Sequence, residues 1–205
     1  AAKLEEQARA WELVYTQSLH TALNHDPEFA PAHTRLARHY RAAHADAEAA
    51  GNPIRSSRME ALLRVHDRGE FADWLAGTGL LSLRTDPPGA LVHIFRYESR
   101  DRQRVPGAWR SLGSAPVVGA VLPIGSYLVT VHSPGRPLVR YPVLIERQVH
   151  TDAGELHLPE ALSDDVAYVP AGPFLCGGDP TARLSLPRQS VWVDGFLIDL
   201  SLIHI

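Results

Sequence analysis

The sequence has little cysteine, no long apolar run and no surplus of basic residues, and each absence excludes a class of protein. Cys176 is its only cysteine, which excludes an internal disulfide and a zinc site built from several thiolates. No apolar run approaches the roughly 20 residues that span a bilayer. The formal net charge is −3, and the basic residues are scattered. We therefore expect neither nucleic acid nor a membrane as a partner, and a cytoplasmic location.

What the sequence does contain is typical of a soluble globular chain, with 45% hydrophobic and 21% charged residues. Residues 1–10 are charged and helical in pattern, unlike a signal peptide, and the chain does not begin with Met. We expect the native start to lie upstream. Residues 200–205 match one reading frame of a common sequencing adapter, so we interpret them as an artefact; the alternative is the apolar end of a strand.

Residues 1–76 are rich in Ala, Arg, Glu and His, and their pattern predicts helices. Asp26 before Pro27 is typical of an N-cap followed by proline at the first helical position, and the helix should run to about Ala50. The Gly51–Pro53 segment then ends it, and a further apolar stripe follows. Three antiparallel helices are predicted. The first has apolar residues at spacings of three and four: Leu4, Ala8, Trp11, Tyr15, Leu19 and Ala22.

The composition changes between Gly77 and Gly79, where β-branched residues, prolines and glycines replace the helix formers. We predict a domain boundary there and an antiparallel β-sandwich after it, so the fold class is α+β. Alternation predicts that Tyr127, Val129 and Val131 face the core. The predicted strands are 80–85, 91–97, 117–122, 126–132 and 139–145.

The helical segment resembles tetratricopeptide repeats over about 60 residues. Ala22, Leu23 and Pro27 are similar to the end of one repeat, and the next helix has small and aromatic residues at the family's spacing. The second helix of that next repeat departs from the pattern. The resemblance implies a groove for a protein or peptide partner, and the alternative is a helical spacer. The matching positions of the next helix are Ala32, Leu36, Ala37 and Tyr40.

Residues 79–158 resemble the PEGA domain, a small β-domain attached to bacterial signalling proteins. The motif is Pro87, Pro88, Gly89 and Ala90, with proline in place of the family's glutamate. Proline fixes φ and glycine allows a positive φ, so the motif indicates a turn and not a reaction. The stretch from Glu98 to Arg110 is interpreted as a hairpin loop longer than the minimal domain needs.

Residues 164–199 resemble the opening of the formylglycine-generating-enzyme (sulfatase-modifying-factor) family, in two segments. The first is 166–179, and the second is 187–199, with Gln189 where the family usually carries histidine. The resemblance implies the first strands of a C-type-lectin-like domain, ending before the family's reactive cysteines and metal-binding residues. Because the rest of that domain's core is missing, we expect these strands to be poorly ordered or to pack on the β-domain.

Several residues invite a catalytic or metal-binding interpretation. Cys176 lies where the family has an apolar residue, so we expect a buried small side chain. His33, His39 and His44 have spacings of six and five, which do not place them on one helical face, and we expect them to be solvated. The 65–69 segment has the wrong residue order for a kinase catalytic loop. No catalytic, cofactor-binding or metal-binding residue is assigned.

The order of these three parts resembles the C-terminal half of a family of bacterial serine/threonine protein kinases. The resemblance implies a non-catalytic linker or interaction segment between a kinase and a formylglycine-generating-enzyme-like domain. No cofactor is expected in the segment, whereas its parent would use ATP and magnesium, or copper. The alternative is a stand-alone peptide- or protein-binding module without an enzymatic role.

Overall fold

The computed structural model describes residues 2–178 and 182–200, and over these the chain forms four helices and eleven strands. It divides into two compact units, Ala1–Ala76 and Gly77–Ile205. The first is helical and the second consists of strands, which confirms the α+β class. Residues 201–205, which make up most of the adapter-like string, lie outside the described part. None of the described helices is long and apolar enough to cross a membrane.

The third helix begins inside the segment that was predicted only to end the second, and the second helix begins later than predicted. The side chain of Asn52 accepts a hydrogen bond from the Arg55 backbone N–H at 3.0 Å, which caps the third helix. Asp26 instead accepts from the N–H of Glu28 at 3.1 Å. This bond closes a local turn, so the second helix begins only at Ala30. The helices are α1 (Ala2–His25), α2 (Ala30–Ala49), α3 (Pro53–His66) and α4 (Ala72–Ala76).

The last apolar stripe forms two helices and not one. The backbone leaves the helical conformation at Asp67, whose φ and ψ are −68° and 132°. The Asp67 carboxylate then accepts a hydrogen bond from the Phe71 N–H at 3.0 Å. The turn between these residues also contains Gly69 at a φ of 104°. A short α4 therefore follows a break that the periodicity did not reveal.

The core of the helical unit lies mainly between α2 and α3. Leu36 and Leu63 are fully buried there, and α1 contributes Leu19. The apolar stripe predicted for α1 continues toward its N-terminus, but Leu4 and Trp11 are 71% and 74% exposed. Only the C-terminal half of the predicted α1 stripe is therefore buried within this unit.

The β unit is a sandwich of two sheets, with strand orders β4-β1-β7 and β3-β2-β5-β6. Its single core takes side chains from both sheets, including Leu83 from the first. Tyr127, Val129 and Val131 of the second sheet are buried, as alternation predicted. The sandwich strands are β1 (Thr78–Asp86), β2 (Leu91–Arg100), β3 (Gln103–Ser114), β4 (Val117–Pro123), β5 (Gly125–His132), β6 (Val139–Ile145) and β7 (His150–His157).

Two features of the sandwich differ from the prediction. The sheet is not purely antiparallel, because β1 pairs with β7 in parallel. The 98–110 stretch is not a long loop, because it contains parts of β2 and β3, which pair as a hairpin. Both β3 and β7 were missed because they are largely exposed and polar, so they show no continuous apolar alternation.

The β2–β3 hairpin turns through Asp101 and Arg102, whose φ angles are 49° and 65°. Two positive φ values in a two-residue loop are typical of a type I′ turn, which favours Gly at its second position. We expect Arg102→Gly to raise the free energy of unfolding by about 0.5–1 kcal/mol. Thermal denaturation measures this. Gln103→Gly, in the strand, should lower stability instead; equal effects of the two changes would contradict the turn assignment.

The two segments after Asp164 pair with each other as one long hairpin. Val166 lies opposite Asp199 and Cys176 lies opposite Gln189, in one register that is interrupted only near the middle. Tyr168 packs against the sandwich core, whereas every residue of the two returning strands is exposed. The hairpin strands are β8 (Val166–Val169), β9 (Gly172–Cys176), β10 (Gln189–Val193) and β11 (Phe196–Asp199).

Candidate functional site

An open cleft of about 740 Å³ lies against the four-stranded sheet of the β unit. Its size is within the range of about 300–1,000 Å³ that is typical of ligand sites in proteins. Among its lining residues, the polar ones are Thr130 and two arginines, Arg104 and Arg140. The remaining lining residues are apolar or aromatic: Phe95, Tyr97, Pro106, Leu128, Leu138, Pro142, Tyr168 and Val169.

The floor of the cleft is the outer face of the sheet. Successive side chains of a strand point to opposite faces, so the residues next to the core residues Ile94 and Val129 point outward. Phe95 lies opposite Leu128, and Leu128 lies opposite Pro142. These three form one apolar row across β2, β5 and β6. An outward face of this kind is usually polar, so the row is unusual for a surface without a binding role.

Two arginines flank this floor on opposite edge strands. Arg104 is on β3 and Arg140 is on β6, and the strand order places β2 and β5 between them. Arg104 lies opposite Ser99, whereas Arg140 is in the row of His93, six residues earlier on β2, so their main chains are about 24 Å apart. Within residues 2–178 and 182–200, neither guanidinium forms an ion pair with a carboxylate. Both side chains are therefore open to an anionic ligand.

The rim of the cleft on the β6 side comes from the hairpin. Tyr168 and Val169 line it, and Tyr168 also contacts the sandwich core. Burial raises the pKa of Tyr168 and of Tyr141, so both phenols are neutral near pH 7. A Cβ at Gly172 would lie 2.8 Å from the Tyr141 hydroxyl oxygen. This close approach seats the hairpin on β6 and holds the rim in place.

The histidines of the helical unit are not the solvated residues that we expected. His33 is 7% exposed and His44 is fully buried, whereas His39 is half-buried. The prediction for His33 and His44 is wrong because their polar atoms find partners on other helices, so they can be buried at little cost. His44 accepts a hydrogen bond from Trp74 Nε1 at 3.1 Å and lies 3.1 Å from the Ser56 hydroxyl.

His33 and His66 form a buried pair with a 3.0 Å contact between their Nδ1 atoms. His33 Nε2 lies 2.9 Å from the Pro27 carbonyl oxygen, which can only accept. Arg68 Nη2, which can only donate, lies 3.2 Å from the same His33 nitrogen, so the two contacts favour opposite tautomers of His33. Burial is the largest cause that lowers the pKa of His66, and the neighbouring charges of His33, His20 and Arg68 act in the same direction, so the pKa is about 4.

His20, His33 and His66 form a cluster whose contacts are structural. His20 Nε2 lies 3.1 Å from the Tyr40 hydroxyl, and its ring lies edge-on to His66. In the part of the chain that the structure describes, no group of three or more His, Cys, Asp or Glu residues is placed to hold a metal ion. The histidines join helices α1, α2 and α3 through hydrogen bonds and ring contacts.

Cys176 is half-buried and not buried as expected. It ends β9 opposite Gln189, in a hairpin whose strand β10 is exposed throughout. A buried position would need a layer of side chains over this strand, which the described residues do not supply. His66 contributes a buried side chain, and Asp67 caps the turn that follows it.

The cleft is not evident from the sequence pattern. Its floor joins residues from strands far apart in the chain, and Arg104 belongs to a strand that was not predicted. The signal that could have found it is the pair Phe95 and Tyr97, two aromatic residues on the outward positions of β2. No protein-family model matches the chain, and no curated protein matches it. The cleft is therefore assigned from its own geometry and chemistry.

Proposed function

We propose that this chain is a non-catalytic interaction segment and that the cleft of its β unit is the binding site. The observation that carries the proposal is an apolar row on the outer face of a sheet, flanked by two arginines without ion pairs. Apolar lining with a few placed polar groups is characteristic of ligand sites. Guanidinium groups donate hydrogen bonds and do not accept protons, so they suit recognition better than acid–base chemistry.

The place of the segment in a larger protein is also a proposal. The PEGA-like assignment is supported by Gly89, which has the positive φ, 84°, that its motif requires. The formylglycine-generating-enzyme-like assignment is supported by the pairing of its two sequence segments in one register. In this proposal the parent is a cytoplasmic bacterial protein with a serine/threonine kinase, and its ATP, magnesium or copper chemistry belongs to other domains.

A peptide array tests the binding function. The full chain and Leu128→Lys would be applied to an array of random-sequence peptides. Leu128 lies on the half-buried outer face, so a lysine can extend into solvent, but its charge occupies the floor of the cleft. Val118→Lys, at a residue that is 80% exposed on the other sheet, is the matched control.

We expect peptides that the native chain and Val118→Lys retain and that Leu128→Lys loses. Retention of the same peptides by all three proteins would place binding elsewhere on the chain. The absence of any retained peptide would contradict a peptide-binding role for the cleft. Both of these outcomes would refute the proposed function.

A further inference from the structure

We infer that the ligand of the cleft is a proline-rich segment of another protein, held in the polyproline II conformation and free of basic residues. This inference rests on the proposed function, because it names the partner of the same site. It follows from three observations: the rings on the outer face of the sheet, the repeat of the apolar row across the strands, and a lining whose polar groups donate hydrogen bonds.

Exposed rings suit the outer face of the sheet to proline. Phe95 lies opposite Trp109 of β3, so Trp109 continues the apolar row by one strand. Trp109 is 63% exposed, and its ring lies edge-on to His93 with 4.9 Å between the ring centroids, which holds it on this face. Tyr97 and Tyr168 add further rings. Grooves lined by aromatic residues bind proline-rich segments, whose conformation is set before binding, so that little entropy is lost.

The repeat of the apolar row matches that of a polyproline II helix. From Trp109 to Pro142, the four residues of the row lie directly opposite one another on adjacent strands, with no offset along the strands. Alternate members of the row are therefore about 9.6 Å apart. A polyproline II helix presents the same face every third residue, which is about 9.3 Å. In a β-strand the same face recurs about every 6.6 Å, which matches neither one strand spacing nor two. A polyproline II segment that lies along the row therefore contacts it at regular positions.

The polar groups of the cleft fit the backbone of such a segment. Every lining side chain that carries a polar group can donate a hydrogen bond: Tyr97, Arg104, Thr130, Arg140 and Tyr168. No carboxylate, amide or imidazole group of the described chain is among the lining side chains. A proline residue has a carbonyl oxygen and no N–H, and a polyproline II helix uses none of its carbonyls internally. A lining of donors therefore pairs with a ligand backbone that offers only acceptors.

The charge of the cleft excludes basic residues from the segment. The chain as a whole has a net charge of −3, yet the charged residues that line the cleft are Arg104 and Arg140. Arg140 lies opposite Thr130, in the row next to Leu128, so its positive charge is beside the floor. A lysine or arginine of the ligand would meet a like charge there, whereas a carbonyl oxygen, with its partial negative charge, meets an opposite one. An uncharged segment rich in carbonyl groups is therefore complementary to the cleft.

The test uses a proline peptide and its mirror image. The probe is acetyl-octaproline-amide made from L-proline, the control peptide is the same compound made from D-proline, and binding to the full chain is measured by isothermal titration calorimetry. The two peptides have the same composition, charge and apolar surface, and differ only in the hand of the helix. We expect the L-peptide to bind about tenfold more tightly than the D-peptide, because only its hand places rings and carbonyls on the row and the donors together.

Two variants locate the contact on the outer face. Trp109→Ala should weaken binding of the L-peptide about threefold to tenfold, because a ring that stacks on proline is lost. Tyr97→Phe should weaken it about threefold, because the ring stays and one donor is removed. Trp11→Ala and Tyr15→Phe make the same changes at exposed residues of α1 and are the matched controls. Both controls should bind the L-peptide as the native chain does.

Equal binding of the L- and D-peptides, with loss of both in Leu128→Lys, would overturn the polyproline II inference and leave the cleft as a binding site. The absence of binding by the L-peptide would overturn it as well, and the peptide array tests the proposed function separately, because it also contains peptides without proline. Equal binding of the L-peptide by the native chain and Leu128→Lys would place its site elsewhere and refute the inference. Trp109, Tyr97 and Leu128 lie outside the buried core, and circular dichroism verifies that each variant folds.

Discussion

Leu83→Ala is expected to lower the free energy of unfolding of the β unit by about 2–5 kcal/mol. Leu83 is 1% exposed and lies on β1, the middle strand of the three-stranded sheet. Its side chain belongs to the core that the two sheets share, so truncation removes apolar contacts and leaves a cavity between the sheets. Amide hydrogen exchange of β5 in the full chain measures the stability of this unit separately from the helices.

A matched control for this change is Leu184→Ala, which removes the same atoms from a residue that is 93% exposed. It should change stability by less than about 0.5 kcal/mol, because surface substitutions away from special features are usually that small. If Leu83→Ala and Leu184→Ala had equal effects on exchange in β5, the two sheets would not share one core.

The second large effect is a loss of stability of the helical unit as the pH falls. The pKa of His66 is lowered to about 4 in the folded chain, so the unfolded chain binds a proton at a higher pH than the folded chain does. The stabilisation is therefore complete above the unfolded pKa of about 6.5 and is lost as the pH falls toward 4. Between pH 7 and pH 5 we expect a loss of about 2 kcal/mol from this residue.

Hydrogen exchange of the α2 and α3 amides at several pH values measures this loss. In His66→Phe, which keeps an aromatic ring at the 6% exposed position, the pH dependence should become shallower. His25→Gln changes an exposed histidine in the last turn of α1 and should leave the dependence as it was. An unchanged slope in His66→Phe would show that other groups cause the pH dependence.

Local signals in the sequence were sufficient for the parts of the fold that depend on neighbouring residues. The Gly51–Pro53 segment predicted the end of α2, because glycine and proline interrupt a helix through local backbone conformation. The alternation of Tyr127, Val129 and Val131 predicted the inward face of β5 because a strand buried on one side repeats every two residues.

The parts that the sequence did not reveal depend on contacts between distant segments. The burial of His33 and His44 requires partners such as His66 and Trp74, which lie on other helices. A histidine that is buried and hydrogen-bonded has the same local pattern as a solvated one. The parallel pairing of β1 with β7 likewise joins the first and last strands of the sandwich, a contact that no periodicity indicates.

The cleft also depends on contacts between distant segments. Phe95, Leu128 and Pro142 become one row only through the register of three strands. Arg104 flanks the floor of the cleft only because β3 is the edge strand beside β2. The family resemblances of the helical, PEGA-like and hairpin segments are matters of sequence pattern, and they remain predictions about the parent protein.

The most direct test of the cleft is an NMR titration of the full chain with a peptide that the array retains. Saturable chemical-shift changes are expected for the amides around Phe95, Leu128 and Thr130, with the helical unit unaffected. Changes confined to the helical unit, or no saturable change at these amides, would contradict the assignment of the cleft as the binding site.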